Sequence, residues 1–396
     1  MKLFQRLLVA PAALGLMAPM AANADVTSVT KNSDVSSEII NARVDGVEAQ
    51  LGEIQAGQFS STTKMSGKAA FILGYVDDDN ETDTDEITGE YMYQLNMNTS
   101  FTGEDNLYTR IKTGNVSDHF TDKPNNTYLS AGNNNGHVLE VDKLWYQFPV
   151  GDNLQVWVGP LIENYYMLAS SPSIYRPITK QFALGGNGSA YGSSTSPGFG
   201  AAWTQSVEDP MDPRFALSIN YTAKDGDDSD KGFGDNTRDF LLTKVEYGSP
   251  MWQVSLAAAY KDGVNAKNGY DSYFHSSLAS SSVGEMTAYG VRAYWRPDST
   301  GAIPSIQVGY DTASFDEAKT GQAEETEGWM IGLNWKDLFI DGNSAGVAFG
   351  SEMAATEIKG GGTDPSEDNS VWESYYTFKV NDGVSVTPAL FGSTDV

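Results

Sequence analysis

The amino-acid sequence predicts an all-β fold: a transmembrane antiparallel β-barrel of about sixteen strands, preceded by a short periplasmic coiled-coil helix. From about residue 65 to residue 391, stretches of roughly ten residues alternate apolar with polar or small side chains. Strand side chains have a period of two, so such a stretch turns one face to lipid and the other to a lumen. The stretches are joined alternately by short turns and long hydrophilic loops, which is the second mark of a membrane barrel.

The first 24 residues have the features of a secretory signal peptide. Lys2 and Arg6 precede an apolar stretch over residues 7–21, and Ala22-Asn23-Ala24 fits an A-x-A cleavage site. We therefore expect export through the Sec pathway to the cell outer membrane, with Asp25 as the first mature residue. The chain contains no cysteine, which excludes disulfides and thiolate metal sites.

Residues 25–58 are predicted to form a periplasmic heptad helix and a linker. Apolar residues recur there at spacings of four and three: Ile40, Val44, Val47, Leu51 and Ile54. This spacing is typical of a coiled-coil seam. About three heptads make a marginal helix in isolation, but attachment to a trimeric barrel would raise the local concentration of the three helices. The alternative is a single amphipathic helix that rests on the periplasmic end of the barrel.

Residues 59–396 are assigned to the barrel domain. In the clearest strand Tyr93, Leu95 and Met97 share one face, and the opposite face carries Gln94 and Asn96. The side chains expected to face lipid include Phe71, Leu95, Met97, Ile111, Leu217, Ile219 and Val291. A soluble β-sandwich also alternates, but it gives no reason for loop lengths that alternate as well.

The loops alternate between long and short along the whole domain. The long loops cover residues 77–87, 115–138, 161–196, 225–238, 264–284, 315–327 and 359–369. This pattern yields about fifteen strands, whereas bacterial barrels of one chain have an even number. Either one strand is missing, or another lies within residues 161–196.

Aromatic residues are frequent near the predicted strand ends. The chain has 20 Tyr, 17 Phe and 8 Trp, and amphipathic rings favour the headgroup level of a membrane. We therefore expect two aromatic girdles, one at each membrane interface. The residues expected in them include Tyr75, Tyr91, Phe101, Tyr146, Tyr247, Trp252, Trp295 and Trp335. Aromatic side chains also fill soluble cores, so this observation supports the barrel without proving it.

The charge and the motif content limit the function classes. The net charge is −27, and loss of Lys2 and Arg6 would make it −29, which argues against a nucleic-acid partner. Acidic residues cluster in the long loops, where they either keep the loops solvated, attract cations, or share divalent cations with lipid headgroups. The three histidines lie in predicted loops, and no catalytic motif occurs. We therefore expect no enzyme activity, no cofactor and no metal site.

Three segments resemble cyanobacterial outer-membrane porins of the carbohydrate-selective and iron-uptake porin family. They are residues 58–67 (QFSSTTKMSG), residues 144–154 with 156–160 (LWYQFPVGDNL and VWVGP), and residues 384–388 (VSVTP). The resemblance implies a homotrimeric channel for small hydrophilic solutes, such as sugars or inorganic ions including iron. It also implies outer-membrane lipid and the barrel-assembly machinery as partners. The alternative function is a non-conducting structural or surface-binding barrel with cation-bridging acidic loops.

Two departures from that family are visible. Its members usually carry an S-layer-homology domain before the helix, and only about ten residues separate Ala24 from the predicted helix here. Its members also end in a strand with a terminal aromatic residue, whereas this sequence ends at Val396.

The resemblance also points to residues 161–196, the third long loop, as the segment that narrows the pore. The candidates for the pore lining and its constriction are Arg110, Lys112, Glu163, Arg176, Lys180, Arg292 and Arg296. Rings of charge set ion preference at a constriction, so this set predicts a basic inner wall that favours small anions. The alternative is that these basic residues pair with lumenal acids such as Glu246 and leave selectivity unchanged.

Overall fold

A computed structural model describes residues 62–77, 86–116, 118–121, 126–186, 190–192, 195–233, 237–264 and 284–394. The chain divides into two units, Met1–Ser61 and Thr62–Val396, and the described residues all belong to the second. The predicted signal peptide and the heptad seam of Ile40, Val44, Val47, Leu51 and Ile54 lie outside the described residues. In the part of the chain that the structure describes, no helix is long and apolar enough to cross a membrane.

The described residues form one sheet of seventeen antiparallel strands, which confirms the predicted fold class. The strands are β1 Thr63–Gly74, β2 Thr88–Thr99, β3 Asn106–Gly114, β4 Glu140–Val150, β5 Leu154–Ile162, β6 Ser196–Thr204, β7 Arg214–Ala223, β8 Asp239–Ser249, β9 Trp252–Val264, β10 Gly284–Trp295, β11 Ser305–Phe315, β12 Ala323–Lys336, β13 Ser344–Ser351, β14 Ala354–Ile358, β15 Ser370–Asn381, β16 Val384–Val386 and β17 Ala389–Ser393. Short 3₁₀ turns lie at Asp118–Phe120, Asn164–Tyr166 and Lys180–Phe182.

Two of the strands are interrupted, so the seventeen strands make fifteen transmembrane segments. β13 and β14 continue one another on either side of Glu352 and Met353, because β14 pairs with the same neighbour, β12, as β13 does. β16 and β17 both pair with β15 on either side of Thr387 and Pro388. The segment count equals that read from the loops, and the described part of residues 163–195 contains no further strand.

The two ends of the sheet meet around Phe120. Along the sheet each strand is antiparallel to its neighbours, so β1 and β17 run in the same direction, and no ladder joins them among the described residues. The Phe120 ring lies 3.1 Å from the position of a Cβ on Gly74 of β1. The same ring lies 6.5 Å from the ring of Phe391 in β17. Phe120 is buried and therefore bridges both edges from within the lumen.

The alternation of side chains separates a lipid face from a lumenal face. In β7 Leu217 and Ile219 are 45% and 51% exposed, whereas Ser218 and Asn220 are buried. The other predicted lipid-facing residues follow the same pattern, since Phe71 and Val291 are exposed and Leu95 pairs with Ile111 on the outer face. The lumenal face is buried here because a loop covers much of it.

Outward aromatic residues cluster at the short-turn rim. The rings of Phe215 and Tyr247 are 4.5 Å apart, and Tyr247 lies 5.7 Å from Trp252. Tyr146 stacks on Phe148 at 5.5 Å farther around the rim. These amphipathic rings mark the level of one membrane interface.

Candidate functional site

The segment between β5 and β6, residues 163–195, is here called the inner loop. Its described residues, 163–186, 190–192 and 195, follow the inner wall of the barrel. It begins beside β7, where Asn220 donates a hydrogen bond of 3.0 Å to the Asn164 carbonyl. Farther along, the Ala169 N–H donates to the Ser218 hydroxyl oxygen at 2.9 Å. Both wall residues point into the lumen, so the inner loop lies inside the sheet.

The middle of the inner loop continues across the wall to β11 and β12. The Ile174 N–H donates to the side-chain oxygen of Gln307 at 3.0 Å. The Arg176 N–H donates to Asn334 at 2.8 Å. In both contacts a polar side chain on an inward wall position accepts from a backbone N–H of the inner loop.

Glu373 on β15 holds the tip of the inner loop. Its buried carboxylate accepts hydrogen bonds from the Tyr175 hydroxyl (2.8 Å), the Ile178 N–H (3.0 Å), the Thr179 N–H (2.8 Å) and the Thr179 hydroxyl (2.7 Å). Burial and the Glu373 carboxylate raise the pKa of the Tyr175 hydroxyl, so this group remains a donor. Glu373 therefore fixes both the position and the direction of the loop tip.

Arg292 on β10 fixes the returning half of the inner loop. It donates to the Leu184 carbonyl at 2.8 Å and makes a bidentate pair with Asp311 at 2.9 and 2.7 Å. The two side chains are 2% and 0% exposed. Gly185 approaches the wall so closely that a Cβ on Gly309 would lie 1.6 Å from its carbonyl oxygen.

The second long loop joins the inner loop across the lumen. Leu129 and Thr179 form an isolated antiparallel bridge. The Lys180 N–H donates to the Tyr128 carbonyl at 2.7 Å, and the Lys180 ammonium lies 3.6 Å from the centre of the Tyr128 ring. The two loops thus form one partition. It covers the inward residues of β1 and β2 near the long loops, such as Ile72 and Met92, and leaves exposed or partly exposed the part of β1 to β3 that carries Lys68, Gln94 and Lys112, here called the open wall.

The open wall carries the predicted row of amides. Gln94 donates to the Asn96 side-chain oxygen at 2.8 Å, and the Tyr108 hydroxyl donates to the same atom at 2.8 Å. Asn106 donates to Asn98 at 3.1 Å. These hydrogen-bonded side chains give the wall a fixed polar surface.

Two ion pairs border this wall. Arg110 on β3 makes a bidentate pair with Asp142 at 2.5 and 2.6 Å. Lys143 on β4 lies 2.9 Å from Glu163 at the start of the inner loop and also contacts Thr195 at its end. The inner loop is therefore held at both its start and its end by one lysine.

Four aromatic rings line the junction between this wall and the inner loop. Tyr108 stacks on Trp145 at 4.2 Å, Trp145 lies 4.8 Å from Tyr166, and Tyr166 lies 4.7 Å from Tyr165. Trp145 is buried between its neighbours. The rings close the space beside the loop, so the remaining passage lies toward β1 to β3.

The structure brings only part of the predicted pore-lining set to the open passage. Arg110, Lys112 and Lys180 border it, and Glu163 lies beside it in the pair with Lys143. Arg176 is exposed on the inner loop. Glu246, named in the alternative, pairs with Lys244 instead of any of the predicted set.

Arg292 and Arg296 do not lie where the predicted basic wall would place them. Arg292 is buried in its pair with Asp311, an acid that the sequence analysis did not name. Arg296 follows the last residue of β10, where the chain reaches a short turn, and it donates to the Pro250 carbonyl at 3.0 Å. It lies at the short-turn rim because β10 runs from a long loop to that rim.

Several lumenal residues were not identified from the sequence. They are Lys68, Asp142, Asp311 and Glu373. The strand alternation already places Lys68, Asp311 and Glu373 on the inner face. Their partners become visible only when the register between strands is known, because each contact joins different strands or loops.

Comparisons with known proteins agree with this architecture. The model of the carbohydrate-selective porin, OprB family, matches residues 31–391. The uncharacterized protein alr4550 of Nostoc sp. (strain PCC 7120) is 26% identical over 398 residues, covering 90% of this chain and 66% of that protein. The uncharacterized protein sll0772 of Synechocystis sp. (strain PCC 6803) is 25% identical over 397 residues, covering 88% and 68%. The chain spans about two thirds of the length of these relatives.

The fold is also similar to solved porin structures. The high-pH structure of Pseudomonas putida OprB has a TM-score of 0.51 at 13% sequence identity, covering 84% of this chain and 88% of that one. A triple mutant of the Rhodopseudomonas blastica porin has a TM-score of 0.48 at 11% identity, covering 83% and 94%. At these identities the likeness concerns the fold alone.

Proposed function

The chain belongs to the OprB family of carbohydrate-selective porins, which are outer-membrane β-barrel proteins, and we propose that it forms a passive diffusion channel for small hydrophilic solutes. The observation that carries the proposal is the inner loop, which is hydrogen-bonded to one side of the lumen and leaves a polar wall on the other. A channel of this kind admits solutes by size and polarity.

The proposed mechanism needs only the side chains of the open wall. A barrel of this size encloses an aqueous channel, and the inner loop reduces its cross-section. The amides of Gln94, Asn96 and Asn98 can exchange hydrogen bonds with water and with sugar hydroxyls. Weak, exchangeable contacts let a solute enter and leave, which conduction requires. Sugars and inorganic ions, including iron in a small hydrophilic form, are the proposed solutes.

Planar bilayers and proteoliposomes test this function. The purified full chain is expected to insert with discrete conductance steps, and liposomes containing it are expected to swell in small sugars but not in large oligosaccharides. A folded barrel that gives neither conductance nor swelling would contradict the channel. That result would support the non-conducting barrel with cation-bridging acidic loops.

The proposed assembly is a homotrimer in the outer membrane, inserted by the barrel-assembly machinery. The heptad spacing of Ile40, Val44, Val47, Leu51 and Ile54 supports a three-stranded seam. Cross-linking of the protein in native outer membranes tests the number of subunits. A single monomeric species at every cross-linker concentration would reject the trimer.

A further inference from the structure

We propose that the open wall contains a binding subsite for oxyanions, formed by Lys68 on β1, Gln94 on β2 and Lys112 on β3. The ligand class is a solute that bears a phosphate, sulfate or carboxylate group. The inference rests on the proposed channel function, because the subsite lies on the wall past which solutes would diffuse. It adds a solute class to that function.

The register of three strands places the three residues in one row. Lys68 pairs with Gln94, and Gln94 pairs with Lys112. All three share the face of Met92, which is buried inside the barrel. With strands about 4.8 Å apart, the Cα atoms of the two lysines are separated by about 10 Å. Their long side chains can converge on one anion above the amide between them.

The two lysines differ from four other lumenal cations, each of which has an acid in direct contact. The cations with an acid in direct contact are Arg110, Lys143, Lys244 and Arg292. Within the described residues, no carboxylate lies in ion-pair contact with Lys68 or Lys112. Their positive charge therefore remains available to a ligand.

The acids nearest along these strands are engaged or distant. Glu140 is opposite Lys112 in the register, but it accepts a hydrogen bond from Asn135 at 3.1 Å. Glu90 lies four residues from Gln94 along β2, which is about 13 Å. Asp142 is already bound by both arms of Arg110. None of these carboxylates is in ion-pair contact with either lysine among the described residues.

Further cations add to the positive potential at this row. Arg110 shares the inward face two residues before Lys112, and its register partner is Lys143. Lys112 also lies within electrostatic range of Lys180 on the inner loop, while Asp142 acts on it with the opposite charge. Like charges gathered on one wall repel one another, and an entering anion relieves this repulsion. A neutral sugar cannot do so.

The chemistry of the row favours an oxyanion. Each ammonium offers three donors, and the Gln94 amide offers two, of which one is used by Asn96. A group with three or four oxygens can accept from both lysines and from the amide together. Chloride has no such set of directed acceptor positions, so it passes with weaker retention.

Current block by inorganic phosphate tests the subsite in planar bilayers with the full chain. Chloride current through the parent protein is expected to fall as phosphate is added at constant ionic strength. In the Lys68→Gln/Lys112→Gln variant, the same reduction should need at least about tenfold more phosphate. Reversal potentials in a KCl gradient should move toward cations in that variant.

The matched control removes two positive charges elsewhere. Lys336→Gln/Lys379→Gln changes the net charge equally, but both residues are exposed at the short-turn rim. This control is expected to keep the phosphate block of the parent. Heat-modifiable migration confirms that each variant is folded, and the single Lys112→Gln variant, with a smaller expected loss of block, replaces the double variant if the latter does not fold.

The outcomes separate this inference from the channel itself. Conductance without phosphate block in the parent, or equal block in the double variant, would reject the subsite while leaving the channel. Equal loss of block in the rim control would also reject it, because general charge would then explain the effect. Absence of conductance in the folded parent would reject the channel and the subsite with it.

Discussion

Glu373 is the residue on which the shape of the passage depends most directly. Four donors of the inner loop point at one buried carboxylate. Each donor that loses a buried acceptor costs about 1–3 kcal/mol unless water replaces the contact. The loop tip is thus expected to leave the wall when this carboxylate is removed.

We predict that Glu373→Ala gives larger and noisier single-channel conductance, together with lower resistance of the folded barrel to heat. The neighbouring Ser374 faces outward and is exposed, so Ser374→Ala serves as the control and should behave like the parent. Single-channel recordings and unheated gels measure both effects. Parental conductance in Glu373→Ala would show that other contacts hold the inner loop.

The pair of Arg292 and Asp311 leads to a second prediction. Removing one partner of a buried pair leaves an uncompensated charge, which costs about 3–5 kcal/mol, whereas replacing both partners by apolar residues is often neutral. Arg292→Leu should therefore lower the free energy of unfolding more than Arg292→Leu/Asp311→Leu does. Urea unfolding in lipid vesicles measures the difference. A double variant less stable than the single one would mean that the Leu184 and Tyr310 carbonyls, which Arg292 also contacts, dominate.

At this scale the sequence predicts the orientation of side chains better than their partners. Alternation correctly turns Arg292 inward, but its acid is two positions away in the register of β11, where Gly290 pairs with Asp311. Likewise, Lys68 and Lys112 become one row only through Gln94 on the strand between them. Partners of this kind depend on the alignment of separate strands, which a single sequence does not specify.

At the scale of a single strand, the cost of a charged substitution on the lipid face should depend on its depth in the membrane. Ile219 lies near the middle of β7 on the lipid face, and Phe215 lies near its short-turn end. An arginine at the bilayer midplane costs about 2–4 kcal/mol, and one near the interface costs about 0–1 kcal/mol. We predict that Ile219→Arg destabilises the barrel more than Phe215→Arg. Equal losses in unfolding experiments in lipid vesicles would contradict this position of the membrane.

The ends of the strands could be predicted closely where a strand gives way to a long hydrophilic loop. The expected loops at 161–196 and 359–369 correspond to the observed gaps between Ile162 and Ser196 and between Ile358 and Ser370. The strand interruptions at Glu352 and Pro388 were not predicted. The first depends on the buried carboxylate of Glu352, which accepts hydrogen bonds from the loop residues Asn126 and Asn369. The path of the inner loop could not be predicted either, because its contacts reach strands from β7 to β15 that are distant in sequence.

For the whole molecule, the proposed helix seam gives a test of assembly. Val47→Lys/Leu51→Lys places charges in the predicted seam, so we expect fewer trimers while each barrel remains folded. Gln50→Lys, at an intervening polar position, is the control and should retain the parental trimer fraction. Unheated gels and sedimentation measure the distribution. An unchanged trimer in the double variant would assign the association to the barrel walls.

The charge of the whole molecule opposes the charge of the open wall. The chain carries −27 with acidic long loops, whereas the row of Lys68 and Lys112 is positive. At about 0.01 M salt the Debye length is about 30 Å, so the acidic loops act on entering ions; at about 1 M it is about 3 Å, and only charges that ions touch remain effective. We therefore predict that the preference shifts from cations toward anions as the mean salt concentration rises at a fixed KCl ratio. The shift should be absent in Lys68→Gln/Lys112→Gln. A parental reversal potential that is independent of salt would contradict this balance of loop and wall charge.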